Sequence, residues 1–135
     1  MIQEDYCSFE VAKLLKEKGF DAECRAAYTN YGKLFTTQIQ QYITNILCDK
    51  GYLWDCTAPT LQMVMKWLRE KSIYIYVEPF ITISSEGYNL EGYKPWVTTF
   101  KRNWFNPLNE LGKVATQSYE EAVEAALKYS LENLI

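Results

Sequence analysis

The run Ile73-Tyr74-Ile75-Tyr76-Val77 alternates β-branched with aromatic side chains, which commits the middle of the chain to a strand with two unlike faces. Ile73, Ile75 and Val77 share one face; Tyr74 and Tyr76 share the other, the pattern of a sheet covered on one side only. Cover for the apolar side comes from helices. Upstream, Leu61, Val64, Met65 and Leu68 recur at i, i+3, i+4 and i+7, so they form a buried helical stripe. Lys66, Arg69, Glu70 and Lys71 make its wet side. Pro59 suits the entry to this helix, with Thr57 or Thr60 as its cap.

Two further helices carry clear start and stop signals. Ser8 caps a helix whose Val11, Leu14 and Leu15 fall on one face, and Gly19 ends it after a lysine-rich last turn. Ser118-Tyr119-Glu120-Glu121 reads as a capping box that opens the last helix. Its expected core stripe is Ala122, Val123, Ala126, Leu127 and Leu134, with Ser130 and Leu131 at the margins.

The remaining segments are read as strands and turns. Ala26–Tyr31 and Lys33–Tyr42 form a hairpin about Asn30-Tyr31-Gly32, although Gln38–Ile43 also fits a helix. Asp49-Lys50-Gly51 is a turn, and Tyr52–Trp54 is a short strand or a loop. Pro79 either ends the central strand or bends it at an edge through Ile81 and Ile83. Ser84–Gly87 is a turn, and Trp96–Phe100 is an antiparallel strand. The expected fold is α+β: one domain over residues 1–135, three main helices on a mostly antiparallel sheet, in the order α-β-β-α-β-β-α.

Composition removes several kinds of chemistry. The 135 residues include no histidine, which excludes hydrolysis by a Ser–His or Cys–His pair and any His-ligated zinc. Cys7, Cys24, Cys48 and Cys56 match no zinc spacing, and no export signal precedes them; they are expected as reduced thiols in a cytoplasmic protein, with no metal and no cofactor. No glycine-rich loop resembles a phosphate cradle. Glu120, Glu121 and Glu124 suit a helix start better than a metal or general-base site. No apolar run reaches membrane-spanning length. The formal charge of −3 argues against a uniformly basic nucleic-acid binder.

One stretch departs from this background. The chain holds eleven Tyr, six Phe and four Trp, and between Tyr93 and Asn109 aromatic rings alternate with cations and no acid. Trp96 and Phe100 share strand parity and are expected in the core, with Val97 and Thr99 on the other side. Tyr93, Lys101, Arg102, Trp104 and Phe105 are left as the candidate binding residues. They suit a protein partner or self-association; alternatively they suit single-stranded nucleic acid, whose phosphates and bases require this mixture. A small-molecule enzyme working without histidine ranks third.

Ala58-Pro59-Thr60 before Lys66-Trp67-Leu68-Arg69-Glu70, then a hydrophobic strand and Ser118-Tyr119-Glu120-Glu121-Ala122, resembles a group of short proteins of gut-bacterial genomes and their prophages. Tyr6-Cys7-Ser8-Phe9-Glu10 with Lys18-Gly19-Phe20 extends the likeness over most of the chain. The resemblance implies a cytoplasmic, phage-related origin and carries no activity or functional residues with it.

Overall fold

A computed structural model describes residues 4–36, 42–51, 53–101 and 103–135. The class is α+β with antiparallel sheets, as the sequence leads one to expect. The element order is α1 (Phe9–Glu17), β1 (Ala26–Thr29), β2 (Leu34–Thr36), α2 (Asn45–Lys50), β3 (Trp54–Thr57), α3 (Leu61–Glu70), β4 (Ile73–Ser84), β5 (Gly87–Thr99), a 3-10 turn (Asn109–Leu111) and α4 (Tyr119–Asn133). Two differences from the expected order stand out. The strands divide between a three-stranded sheet β2-β1-β3 and a two-stranded ribbon β4-β5. A short helix also occupies Asn45–Lys50, where Asp49-Lys50-Gly51 reads as a turn: Thr44 caps it by accepting from the Leu47 amide, and Asn45 and Cys48 are its buried residues. The helical alternative for Gln38–Ile43 falls largely outside the described residues.

The chain gathers into two compact units, residues 1–64 with 135 and residues 65–134. In the first, Ser8 Oγ accepts from the Val11 amide, and the Phe20 amide donates back to the Leu15 carbonyl past Gly19. That closure returns Phe20 to the core beside Val11, Ala12 and Leu15. β1 is buried along its whole length, and α1 and α2 both pack against β3. Asn45 ties this unit together. Its Nδ2 donates to the Phe20 carbonyl at 2.8 Å, while its Oδ1 accepts from the Thr57 amide at 2.9 Å. A buried amide pays its desolvation cost only through such partners.

The second unit is a ribbon with a helix on one side. From Ile73 to Pro79 and from Tyr93 to Thr99 the odd-numbered residues take the α4 side: Ile73, Pro95 and Val97 are buried, and Tyr93 meets Tyr119 of α4 edge to face at 6.0 Å. Ala122, Val123, Ala126, Leu127, Ser130 and Leu131 are the buried face of α4. Leu131 thus takes the core place expected for Leu134, which lies at the helix C-cap and is only half-buried. Full burial of Leu127 or Leu131 stabilises by about 1.5–3 kcal/mol each.

Pro79 does not end β4. In the register Tyr93 faces Pro79, and the Tyr93 amide points away from β4 to bond the Thr116 carbonyl at 2.9 Å. The Tyr93–Pro79 pair is therefore a non-hydrogen-bonded one, where proline forfeits no ladder bond. Pro95 has the same outward parity, between the Tyr93–Thr116 and Val97–Phe105 bridges on the free side of β5. β5 is also longer than the strand expected from Trp96, because it begins at Gly87.

Candidate functional site

The side of the ribbon away from α4 carries the exposed rings. A bulge between Phe80 and Ile81 sets its composition. Beyond the bulge toward the turn, Ile83 pairs with Tyr88; before it, Tyr76 pairs with Trp96 and Glu78 with Lys94. Without that extra residue Tyr76 would face Pro95, and Trp96 would turn toward α4, since a one-residue slip exchanges the two faces. With it, Tyr74, Tyr76, Glu78, Lys94 and Trp96 stand on one side.

This corrects the expected core. Val97 is 2% exposed and belongs to the core, whereas Phe100 is 81% exposed and Trp96 is half-buried on the open side. The reason is register. Val97 pairs with Ile75 on the face shared with Ile73 and Pro95, whereas Trp96 pairs with Tyr76 on the opposite face.

The five candidate residues do not form one cluster. Tyr93 packs on Tyr119, and Phe105 packs on Tyr129 at 5.0 Å, so both rings serve the α4 side. Lys101 is exposed and lines a cleft of about 550 Å³ with Phe100, Lys71 and Thr99. Arg102 lies outside the described residues. Trp104 alone stands on the open aromatic face, 51% exposed, with its ring 6.0 Å from that of Tyr76 at an interplanar angle of 64°.

Around Trp104 a second cleft opens, about 480 Å³ in volume and lined by Tyr76, Glu78, Trp96 and Trp104. Tyr76 is 50% exposed. The Trp96 indole Nε1 donates to Glu78 Oε1 at 3.0 Å, which fixes the ring and the carboxylate together. Phe100 extends the surface by packing edge-on to Tyr74 at 5.7 Å. Tyr76, Glu78 and Trp96 are absent from the expected site; the signal that finds them is the parity of two strands across the bulge.

Elsewhere the chemistry is subdued. All four cysteines are buried and none is in a disulfide. Burial pushes Cys24 up to about 11 and Cys56 up to about 12, and it also raises Cys48, so none of these three is a thiolate nucleophile at neutral pH. Among the described residues no group of three or more Cys, Asp or Glu side chains is placed to hold a metal ion, and no helix is long and apolar enough to cross a membrane. Comparison with known proteins finds no matching family, no matching curated protein and no matching solved structure.

Proposed function

We propose that the chain is a noncatalytic recognition module that engages a protein partner through the open face of the β4–β5 ribbon. The observation that carries this reading is the collection of Tyr76, Trp96, Phe100 and Trp104 on one side of two strands, three of them half exposed or more. Large rings at such positions dominate binding energy where a partner covers them. Rigid strands place Tyr76 and Trp96, so little backbone entropy is lost there when they are covered. The four buried cysteines, none of them in a disulfide, support work in a reducing compartment such as the cytoplasm.

Affinity capture from host lysate, compared between the wild type and Trp104→Ala and quantified by mass spectrometry, tests the proposal. Near-UV circular dichroism first confirms that the variant keeps its fold. The expected result is a specific set of proteins whose recovery falls about tenfold or more in the variant, the scale of a single interface anchor. An identical set captured by both proteins refutes it.

Single-stranded nucleic acid is the second reading, favoured by Lys101 and Lys71 lining the cleft beside Phe100. Glu78 opposes it, because a carboxylate on the same face repels phosphate. Titration with oligonucleotides at two salt concentrations separates the readings, since phosphate contacts weaken steeply with salt.

A further inference from the structure

The cleft at Trp104 has a composition that selects its ligand. Among the described residues its lining is three aromatic rings and one carboxylate. The face of an aromatic ring is the negative end of its quadrupole, so each ring attracts positive charge. Tyr76 and Trp104 stand 64° apart as two walls, and Trp96, directly across the ribbon from Tyr76, makes the third side. Glu78 stands two residues along the strand from Tyr76, held by the Trp96 indole N–H. Lys94, its neighbour across the ribbon, has its Nζ 4.3 Å from the Phe80 ring centroid.

From this arrangement we infer that the cleft binds a quaternary, methylated ammonium group, with Tyr76, Trp96 and Trp104 around the methyl groups and Glu78 supplying the counter-charge. The choice among cations follows from solvation. A primary ammonium is a compact, strongly hydrated charge with three donors, and three ring faces with one carboxylate replace little of that hydration. A quaternary ammonium has no donor to satisfy and spreads its charge over methyl groups that pack against the rings. The cleft volume lies within the range of small-ligand pockets, so it also admits the chain that bears the group. The inference deepens the reading above and rests on the same open face being the recognition surface.

Tryptophan fluorescence of the full chain, titrated with choline and with its neutral isostere 3,3-dimethylbutan-1-ol, tests the inference. Saturable quenching by choline is expected, with binding about tenfold or more weaker for the isostere, because only the charge differs. Glu78→Gln keeps the shape of the cleft and is expected to weaken choline binding about tenfold, on the scale of one close charge pair at a partly exposed site. Trp104→Ala removes a wall and is expected to weaken it at least as much.

Two outcomes overturn the inference: equal affinity for choline and the isostere, or a Glu78→Gln variant of intact thermal midpoint that binds choline as the wild type does. A peptide carrying Nε-trimethyllysine identifies the source of the group. Tighter binding than choline assigns it to a protein partner, and equal binding assigns it to a free small molecule. The two proposals fail separately. Loss of charge selectivity with Trp104-dependent capture retained removes the cation site alone; choline binding with Trp104-independent capture removes the partner-binding reading alone.

Discussion

Gly92→Ala is the sharpest test of how the ribbon is held to its surroundings. Gly92 sits at φ +156°, a backbone conformation that residues with a Cβ avoid, and this strain alone costs about 1–3 kcal/mol. The added methyl would also run into the Thr116 carbonyl oxygen and approach the Ala115 Cβ within 3.3 Å. Thr116 cannot retreat freely. Its amide and carbonyl exchange a reciprocal pair of hydrogen bonds with Tyr93, at 2.8 and 2.9 Å. Losing both adds about 1–3 kcal/mol at a typical net value per bond. The expected total is about 2–6 kcal/mol. Gly87→Ala is the control, because Gly87 has φ +119° but nothing within 4 Å of its added Cβ. It bears the strain without the collision and is expected to cost about 1–3 kcal/mol. Urea denaturation of the two variants reads the difference. Equal losses at the two positions would show that the contact with Thr116 contributes nothing, and the packing argument would fail.

Two further perturbations probe the first unit. Asn45→Ala removes the partners of the Phe20 carbonyl and the Thr57 amide, and is expected to cost about 2–4 kcal/mol in the same assay; a cost under about 1 kcal/mol would mean that water replaces both bonds. The raised thiols predict a decline in stability at alkaline pH. In the unfolded chain a thiol loses its proton near 9, whereas folded Cys24 and Cys56 hold theirs to about 11 and about 12. Their contribution is therefore intact below pH 9 and is lost as pH rises through that window, by up to about 1.4 kcal/mol per pH unit for each thiol. Denaturant midpoints from pH 8 to 11 are expected to fall more steeply for the wild type than for Cys24→Ala/Cys56→Ala, and parallel declines would exclude the thiols as the cause.

The helices and β4 are legible in the sequence because their signals are local. Ser8, Thr60 and Ser118 each accept the hydrogen bond that a capping residue should, and Leu61, Val64 and Leu68 are buried as their spacing requires. α2 is not legible, since six residues span too few turns for a periodicity to emerge. The face assignment of β5 fails for a different reason. Side-chain size favours Trp96 and Phe100 as core residues, but a strand's face is set by register, and here the register turns on one bulge near Gly92. The Trp96–Glu78 bond joins residues eighteen apart, so nothing short of the correct pairing brings it into view. Trp104 was accessible to sequence reasoning because it lies past the strand end, where parity no longer matters.

The α4 side of the ribbon continues past the reach of α4, and beyond the bulge it carries odd residues of β4 but even residues of β5. Ile81 and Leu90 pair across it, then Ile83 and Tyr88, and all four side chains are exposed. A two-stranded hairpin without a covering element is marginally stable in water. The ribbon is thus a beam clamped at one end: rigid from Ile73 to Pro79, where Pro95 and Val97 are pinned under α4, and compliant toward the turn. Its amide protons should grade accordingly, from exchange governed by global unfolding near Val97 to exchange through local fraying near Ser84. Tyr76, Glu78 and Trp96 all fall on the clamped half, so the rings keep their spacing while the tip moves.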